Sequence, residues 1–559
     1  MQPSELACSA IQALWMSTCL PETFLFKRAA AKSLKALQTE VLREIVAGAA
    51  GSEFARKHCI TSNTGVAEFR DRVAVNEYED LQPWIEKIAD GGENVLSREK
   101  VLMFEETSGS TSGSRLIPYT ASLQNAFNRA LHPWLFDLYS HLPAIWGGPA
   151  YWVVTPRTAG RKTSGGVPVG FAADSDYFGR WARPLIDSLM AVSDKVKNYG
   201  SGQIWRYLTL LALLRCDGLR LVSLWNPTFF IALINDVNEW HEELAADLRD
   251  GTCHPEKIGK SAPAEVASFC ARPMPLRAKL LTSAVTALRA GRRAEFAGML
   301  WPKLAMISSW TEAEAASGAA HLREYFPQQI WQSKGLLATE GAVTLPVLSA
   351  PAPVLAARSA FFEFEEGEEG SGEIRLAHEL ETGGRYRVIM TTFGGLYRYR
   401  LHDIVEVRGW WRRLPCLAFI GKEAMVCDLS GEKLSAAHIR AILNDLPGNF
   451  VSAFVAPEKP LTPALPGYLL VASREETPLR EPELATAFES SLCENIHYRW
   501  SREAGQLQAA RVMLLPVSPD QLIQLRQKRV EEEGGALSTA KHGVLSRQPG
   551  WANWLNRQF

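Results

Sequence analysis

Hydrophobic and polar residues follow two periodicities along the chain, one typical of helices and one typical of strands. Residues 29–48 carry apolar side chains at helical spacing and end in a Gly-rich stretch, the usual stop signal of a helix. Residues 101–106, 151–156 and 219–225 are short runs rich in strand-forming residues, with turn residues at their borders. Long segments of helical spacing separate these runs. Strands that alternate with helices favour an α/β fold.

The pattern changes twice toward the C-terminal end. Residues 360–420 predict successive hairpin strands broken by Gly pairs, a β-rich portion that we expect to be barrel-like. The charged run 363–369 is expected to be a solvated turn between two of these strands. After Gly421, the pattern predicts in order a helix at 434–446, strands at 450–457 and 467–474, a helix at 481–497, a strand at 511–517 and a helix at 519–532. We therefore predict a large N-terminal α/β domain, residues 1–424, and a small, mobile α+β C-terminal lid domain, residues 425–559.

Composition narrows the functional classes. The chain has 559 residues, and its 60 Lys and Arg are balanced by 61 Asp and Glu, so the basic surplus typical of nucleic-acid-binding proteins is missing. Nine scattered cysteines without a C-x-x-C pair predict reduced thiols in a cytoplasmic protein. The uncharged residues 6–21 follow Glu5 and no Lys or Arg, which argues against a signal peptide. We expect neither a nucleic acid nor a membrane as a partner.

The most distinctive local sequence is the hydroxyl-rich segment TSGSTSGSR, residues 107–115, which lies between the predicted strand 101–106 and a second predicted strand, LIPYT, at 116–120. Its glycines let backbone N–H groups turn toward a bound anion, and its hydroxyl side chains add further donors. The segment lacks the G-x-x-x-x-G-K-[ST] pattern and is therefore not a Walker A loop. Two interpretations stay open on the residues alone, a phosphate-binding loop and a flexible Ser/Gly link.

Two carboxylates further along the chain are candidates for nucleotide chemistry. Glu340 lies between two apolar runs, where it could share Mg²⁺ with phosphates or simply occupy a surface turn. Asp403 follows the alternating Tyr and Arg of residues 397–400, and a strand there would put the tyrosines on one face and the arginines on the other. Asp403 could accept hydrogen bonds from a ribose diol, or could pair with one of the arginines.

Together, the Ser/Thr/Gly loop, the A-T-E turn and the Y-R-x-x-D strand resemble the adenylate-forming superfamily of acyl-CoA synthetases, nonribosomal adenylation domains and luciferases. The chain is more similar still to the Gretchen Hagen (auxin-responsive promoter) family of acyl acid–amido synthetases. This resemblance extends over nearly the whole chain. The segments that carry it are 104–120, 219–234, 301–310, 331–341, 393–410 and 415–439.

The resemblance implies an enzyme that uses ATP and Mg²⁺ to activate a carboxylic acid and transfers it to an amine, most simply an amino acid. It implies that a set of loop residues surrounds the ATP phosphates: Ser108, Gly109, Ser110, Thr111, Ser112, Gly113 and Ser114. Thr339 adds to this ATP site, Glu340 holds Mg²⁺ as a catalytic residue, and Asp403 binds the ribose. Lys422 falls at the hinge into the C-terminal domain, and Lys541 corresponds to the catalytic lysine of a mobile loop.

The acyl end is less defined by the sequence. Trp225 and Phe229 lie in a segment that resembles the family's acyl pocket, although core aromatics would give the same pattern.

Three positions depart from the family pattern. Leu336 stands where an aromatic residue usually stacks on adenine, and His402 stands where Gly usually precedes the ribose-binding Asp. Lys422 replaces an Arg, which removes bidentate contacts.

The sequence leaves three functional hypotheses open. They are an acyl acid amido synthetase, an acyl-adenylate enzyme that passes the acyl group to a thiol of CoA or a carrier protein, and a catalytically silent nucleotide-binding protein.

Overall fold

The computed structural model describes most of the chain, and the described residues form two compact units. These residues are 4–106, 115–153, 161–170, 183–199, 203–258, 264–367, 372–422, 426–427, 429–430, 432, 434–458, 465–533 and 543–559. Unit 1 comprises the described residues of 1–225, 240–310 and 326–420. Unit 2 comprises those of 226–239, 311–325 and 421–559.

Helices and strands occur throughout the described residues. The helices are α1 (Glu5–Ala29), α2 (Leu34–Ala49), α3 (Glu53–Lys57), α4 (Val66–Arg72), α5 (Tyr78–Ala89), α6 (Ala121–His141), α7 (Arg183–Leu189), α8 (Gln203–Arg215), α9 (Pro227–Glu239), α10 (His241–Asp250), α11 (Pro275–Arg289), α12 (Arg293–Leu300), α13 (Ala316–Tyr325), α14 (Ala436–Asp445), α15 (Glu481–Leu492), α16 (Ile496–Glu503), α17 (Pro519–Glu532) and α18 (Trp551–Leu555). The strands are β1 (Met103–Glu106), β2 (Leu116–Tyr119), β3 (Ala150–Trp152), β4 (Leu221–Ser223), β5 (Met306–Ser309), β6 (Ile330–Ser333), β7 (Leu337–Ala338), β8 (Gly341–Ala342), β9 (Thr344–Leu345), β10 (Val354–Leu355), β11 (Phe361–Glu366), β12 (Ile374–Leu376), β13 (Arg385–Thr391), β14 (Tyr399–Trp411), β15 (Leu414–Lys422), β16 (Val426–Cys427), β17 (Leu434–Ser435), β18 (Phe454–Glu458), β19 (Gly467–Ser473) and β20 (Arg511–Leu515).

Unit 1 contains a four-stranded parallel sheet in the order β3-β4-β5-β6. Its two inner strands are buried along their whole length, as expected of parallel strands covered on both faces. The predicted strands at 151–156 and 219–225 correspond to β3 and β4, although each observed strand is shorter. The mixed α/β class predicted from the sequence is confirmed.

A seven-stranded sheet in the order β12-β11-β13-β14-β15-β10-β9 forms the β-rich part of unit 1. The described partners of its neighbouring strands are antiparallel. The hairpin strands predicted for residues 360–420 therefore exist, whereas barrel-like closure stays a prediction.

The expected solvated turn at 363–369 is wrong for its first part. Glu363 and Glu365 lie inside β11 and are only 1% and 3% exposed. They are buried because each carboxylate accepts hydrogen bonds from an arginine: Arg398 contacts Glu363, and Arg400 contacts Glu365. Buried charges are stable when they are paired in this way.

Unit 2 contains a three-stranded sheet in the order β18-β19-β20, with one antiparallel and one parallel pair. The predicted helices and strands after residue 434 are present in the predicted order, except that the expected helix 481–497 divides into α15 and α16. The N-cap of α16 is Asn495, whose side chain accepts hydrogen bonds from two backbone N–H groups. This cap starts a new helix at that point.

Two earlier segments also belong to unit 2, which the sequence did not indicate. Helix α9 contacts α17 through a hydrogen bond from the Gln527 side chain to the Thr228 carbonyl, at 3.0 Å. Helix α13 contacts α17 through His321, whose Nε2 pairs with Asp520. The division at residues 424 and 425 stays a prediction, while the compact units change at Gly421 and include these two segments.

Candidate functional site

The hydroxyl-rich segment connects two paired strands. In the hairpin of β1 and β2, Glu106 lies opposite Leu116, so residues 107–115 form the connection at this end. Ser108, Gly109, Ser110, Thr111, Ser112, Gly113 and Ser114 lie outside the described residues. The strand borders agree with the sequence expectation for the segment, and its role in ATP binding stays a prediction.

Thr339 and Glu340 form the two-residue turn of a second hairpin. Leu337 pairs with Ala342, and Ala338 pairs with Gly341, so the A-T-E motif is the tip between β7 and β8. The Tyr119 hydroxyl of β2 donates a hydrogen bond to the Thr339 carbonyl at 2.6 Å. This bond joins the A-T-E turn to the hairpin that carries the hydroxyl-rich segment.

Gly341 sets how closely this turn approaches the large antiparallel sheet. A Cβ atom at Gly341 would lie 2.6 Å from the Met390 side-chain terminus on β13. Met390 is the cross-strand partner of Tyr399 on β14. The close approach of Gly341 therefore brings the neighbouring Glu340 next to Tyr399.

Tyr399 belongs to the candidate site through its hydroxyl group, a role that the sequence did not indicate. Its side chain is 2% exposed, and its hydroxyl lies 3.5 Å from Oε1 of Glu340. Burial raises the pKa of Tyr399 well above its usual range, and the negative charge of Glu340 raises it further, while Arg115 acts in the opposite direction. Tyr399 is thus a protonated hydroxyl beside the predicted catalytic carboxylate. The Y-R-Y-R alternation pointed to the strand but not to this contact.

Arg115 ends the hydroxyl-rich segment and is held from two sides. Its guanidinium lies 5.0 Å from the centre of the Tyr78 ring and pairs with Glu79 at 2.9 Å. Its influence on Tyr399 shows that the end of this segment and the start of β14 are electrostatically connected.

Asp403 lies in a β-bulge, which the sequence could not indicate. Between the pairs Arg387–Ile404 and Ile389–Arg400, two residue steps on β13 face four on β14. Bulges commonly re-aim a side chain next to a functional site. Asp403 is 2% exposed, so the bulge holds its carboxylate in the protein interior.

His402 adopts a backbone conformation that favours glycine. Its φ angle is +63°, in the left-handed region. This conformation gives a physical reason for the Gly expected before the ribose-binding Asp. His402 Nε2 lies 2.6 Å from Oε2 of Glu77, and Arg400 contacts the other oxygen of Glu77 at 2.6 Å. Glu77 therefore joins the two ends of the bulge.

The arginines of the motif have structural partners. Arg398 is bidentate to Glu363, at 2.8 and 2.9 Å, and also donates to the carbonyls of Arg70 and Val73. Arg400 is bidentate to Glu365, at 3.0 and 3.1 Å. Glu363 and Glu365 are two residues apart on β11, so both arginines contact the same face of that strand. Arg398 itself precedes β14 and has a left-handed φ of +46°.

The predicted acyl-pocket residues fall into different compact units. Trp225 follows β4 in unit 1 and is half-buried, whereas Phe229 is buried in α9 of unit 2. The Trp225 carbonyl accepts hydrogen bonds from the Trp310 backbone N–H and the Ser309 hydroxyl, at 3.0 and 3.2 Å. Their assignment to an acyl pocket stays a prediction.

Lys334 lies beside Trp225 and was not singled out from the sequence. It follows β6 at the carboxyl end of the parallel sheet and is 4% exposed. Its Nζ donates a hydrogen bond to the Ser223 hydroxyl at 2.6 Å and lies 5.0 Å from the Trp225 ring and 5.3 Å from the Trp134 ring. Burial lowers the pKa of Lys334 to about 7.

The two lysines predicted from the resemblance are only partly placed. Lys422 ends β15, as expected for a residue at the border of the C-terminal region, and its side chain is not described. Lys541 lies outside the described residues. The chain two residues later is held by Arg526, which donates a 2.6 Å hydrogen bond to the Gly543 carbonyl. Burial lowers the pKa of Arg526 to about 9.

The donor set near Glu340 fits a magnesium ion only when phosphates complete it. Among the residues that the structure describes, no three His, Cys, Asp or Glu side chains are grouped so that they could hold a metal ion. Magnesium commonly binds through one or two carboxylates and substrate phosphates. The single buried carboxylate of Glu340 suits this arrangement.

The fold of this chain is similar to that of solved acyl acid amido synthetases. One of them is the structure of "AtGH3.15 acyl acid amido synthetase in complex with 2,4-DB". The superposition covers 97% of this chain and 95% of that chain, with a TM-score of 0.78. Its sequence identity is 19%, so this likeness concerns the fold alone.

The family is shown by the sequence itself. The GH3 family N-terminal domain matches residues 26–330, and the GH3 family central domain matches residues 353–422. The chain therefore belongs to the GH3 family of acyl acid amido synthetases, which confirms the resemblance to the Gretchen Hagen family.

Named relatives are distant but similar over most of their length. The chain is 25% identical over 436 residues to the probable indole-3-acetic acid-amido synthetase GH3.12 of Oryza sativa subsp. japonica, covering 71% of each chain. It is 23% identical over 435 residues to indole-3-acetic acid-amido synthetase GH3.3 of Arabidopsis thaliana, covering 73% of this chain and 71% of that one. Within the described residues, no helix is long and apolar enough to cross a membrane.

Proposed function

We propose that the protein is an ATP-dependent acyl acid amido synthetase. A carboxylate attacks the α-phosphate of ATP, which releases pyrophosphate and leaves an acyl adenylate. An amine then attacks the acyl carbon, which releases AMP and forms an amide. The observation that carries the proposal is the joining of three motifs around β14: Tyr119 contacts Thr339, Glu340 contacts Tyr399, and Asp403 follows on the same strand.

The first step needs positioning and charge neutralisation because both reactants are anionic. In the proposed site, the backbone N–H groups and hydroxyls of residues 108–114 receive the phosphates, and Lys541 supplies a positive charge. Asp403 binds the ribose hydroxyls from its bulge. Tyr399 holds the Glu340 side chain through its protonated hydroxyl.

Mg²⁺ fits the proposal as a partner of Glu340 and the ATP phosphates. When bound, it would neutralise phosphate charge and favour departure of pyrophosphate. Glu340 is 8% exposed, so its carboxylate is held away from bulk water. Thr339 supports it, since its carbonyl is fixed by Tyr119.

The substrate classes are proposed from the family. Relatives are named for indole-3-acetic acid, an aromatic carboxylic acid, and for amide formation. We propose an aromatic carboxylic acid as the acyl substrate and an amino acid as the acceptor. The partly exposed rings of Trp225 and Trp310, with centres 5.6 Å apart, suit an aromatic acyl group.

Pyrophosphate–ATP exchange that depends on an added carboxylic acid tests the first step. Ser110→Ala with Thr111→Ala should sharply reduce exchange while the fold stays intact. The matched control, Thr282→Ala with Thr286→Ala, removes two hydroxyls that bond carbonyls of their own helix α11 and should leave exchange unchanged. Unchanged exchange in the first variant would show that the hydroxyl-rich segment does not bind ATP.

Mass spectrometry of the products tests the second step. With mixed amino acids and CoA both present, the proposal requires an amide. A thioester would identify an enzyme that transfers the acyl group to a thiol, and the absence of exchange with every acid would identify a catalytically silent nucleotide-binding protein.

A further inference from the structure

Lys334 is a buried cation in an aromatic environment. Its Nζ lies between the rings of Trp134 and Trp225, and Trp310 lies beside Trp225. We call these three tryptophans and Lys334 the tryptophan box. All four residues belong to unit 1. The box lies at the carboxyl end of the parallel sheet, the edge at which ligands commonly bind in open α/β sheets.

The residues of the tryptophan box are fixed by hydrogen bonds. The Trp134 indole N–H donates to Oε1 of Gln332 at 2.8 Å. The Trp225 carbonyl is held by Ser309 and Trp310, and the Lys334 backbone N–H donates to the Ser309 carbonyl at 3.3 Å. A binding site built on such fixed groups requires little ordering when a ligand arrives.

The charge of Lys334 is not balanced by an acidic side chain of the described residues. The hydrogen-bond partner of Nζ there is Ser223, a neutral hydroxyl, and its other close neighbours are the two rings. An ammonium group has three N–H donors, and aromatic faces stabilise a cation without neutralising it. Burying a cation without an anion costs free energy, and an anionic ligand that pairs with the cation would offset this cost.

Two other buried cations of unit 1 differ from Lys334 in this respect. Arg398 pairs with Glu363, and Lys197, which is also buried, pairs with Asp194. The lowered pKa of Lys334 has burial as its cause, without a contribution from a neighbouring carboxylate. The contrast indicates that the counter-charge at this position is supplied by a ligand.

We propose that Lys334 is a specificity-determining residue that selects carboxylic acids whose aromatic tail carries a second anionic group. This inference rests on the proposed function, since it takes the tryptophan box as the site of the acyl group. The aromatic tail packs against Trp225 and Trp310, and the second carboxylate accepts hydrogen bonds from the Lys334 ammonium. The first carboxylate is then left for adenylation.

Calorimetric binding of two matched acids, phenylacetic acid and para-carboxyphenylacetic acid, tests the proposal without ATP. The wild-type protein should bind the diacid at least about tenfold more tightly, because a buried ion pair forms only with the diacid. Lys334→Met should abolish this preference by weakening binding of the diacid far more than binding of phenylacetic acid. The control Lys197→Met removes a buried lysine that has its own carboxylate and should keep the preference.

A second measurement on the wild-type protein keeps the test independent of any variant. At pH 8, binding of the diacid should be accompanied by uptake of protons, detected as different binding enthalpies in two buffers of different ionisation enthalpy. The described side chains that contact Nζ are all uncharged. They are Ser223 of β4, Trp134 of α6 and Trp225, which follows β4. Phenylacetic acid should give no uptake.

Each result decides between the two proposals. Equal binding of the two acids, no measurable binding of either, or equal effects of Lys334→Met on both would overturn the role of Lys334. If the preference is observed but exchange fails with every acid, the tryptophan box binds an acidic ligand and the proposed synthetase function is wrong. If exchange occurs with monocarboxylic acids alone, the function stands and the role of Lys334 is wrong.

Discussion

The hydroxyl of Tyr399 lies 3.5 Å from Oε1 of Glu340, although the two residues come from different sheets of unit 1. Tyr399 starts β14, whose bulge contains Asp403, and Glu340 occupies the tip of the β7–β8 hairpin. Gly341, next to Glu340, packs against the side-chain terminus of Met390, the cross-strand neighbour of Tyr399. The contact links the predicted catalytic carboxylate to the strand predicted to bind ribose.

Tyr399→Phe should slow adenylation more than it weakens ATP binding. The substitution keeps the buried ring and removes the hydroxyl beside Glu340, so the carboxylate loses a partner that helps to position it. We expect kcat for pyrophosphate exchange to fall roughly tenfold, from the loss of about 1–2 kcal/mol of a charge-assisted hydrogen bond. Tyr468→Phe, at another buried tyrosine hydroxyl that bonds a glutamate, in unit 2, is the matched control. Equal losses of exchange in both variants would contradict the specific role of Tyr399.

Glu340→Gln and Asp403→Asn should affect different steps of the reaction. The Glu340 charge is proposed to act on the phosphates as pyrophosphate leaves, so we expect kcat to fall roughly 100-fold with little change in ATP affinity. The Asp403 carboxylate is proposed to hold the ribose, so its loss should weaken ATP binding by about 1–3 kcal/mol. Exchange kinetics and equilibrium binding of ATP measure both effects. Indistinguishable variants would show that the two roles are assigned wrongly.

The effect of His402 substitutions should depend on the left-handed backbone. His402→Ala loses the contact with Glu77 and keeps a φ of +63°, whereas His402→Gly loses the same contact and relieves the strain. The Gly variant should therefore be more stable than the Ala variant by about 1 kcal/mol, the usual cost of this conformation for a residue with a Cβ. Urea unfolding of the two variants measures the difference. An Ala variant that is at least as stable would show that the bulge relaxes.

The sequence predicted the elements of this fold better than their long-range partners. Alternating strands and helices, the two strands that border residues 107–115 and the order of elements after residue 434 follow from local patterns. The membership of α9 and α13 in unit 2 does not, because it depends on contacts such as that between His321 and Asp520, which are 199 residues apart.

The residues of the candidate site also fall into those that local motifs predict and those that only spatial contacts reveal. Glu340 and Asp403 stand out because short motifs carry them, whereas Tyr399 and Lys334 acquire significance only from their neighbours in space. The buried Glu363 and Glu365 illustrate the limit of local patterns. Their charge predicts exposure, whereas arginines from other parts of unit 1 pair with them and make burial possible.

Lys334 should make the free energy of unfolding depend on pH. Its pKa is about 7 in the folded protein and about 10.4 in an unfolded chain, so the unfolded chain holds one more proton between these values. Stability from this group therefore rises with pH, by up to about 1.4 kcal/mol per pH unit, between pH 7 and about pH 10. Lys334→Met should flatten the profile and raise stability near pH 7. Parallel profiles of wild type and variant in urea unfolding would contradict the lowered pKa.

Asp520→Ala should loosen helices that are distant in the sequence. Asp520 on α17 pairs with His321 and accepts a 3.4 Å hydrogen bond from the Tyr325 hydroxyl, and both partners belong to α13. Removing the carboxylate leaves buried polar groups of α13 without this acceptor, which commonly costs about 1–3 kcal/mol. Amide hydrogen exchange should therefore become faster in α13 and in the adjoining α9, while β11 and β13 in unit 1 keep their protection.

A control within the same unit separates this effect from general destabilisation of unit 2. Asp445→Ala removes an exposed carboxylate at the end of α14 and should leave exchange in α9 and α13 unchanged. Faster exchange in α14 through α17 of Asp520→Ala, with α9 and α13 unaffected, would show that these two helices are stabilised independently of the C-terminal region. Faster exchange in α9 and α13 would instead mean that the contact between His321 and Asp520 stabilises these two helices against the C-terminal part of unit 2.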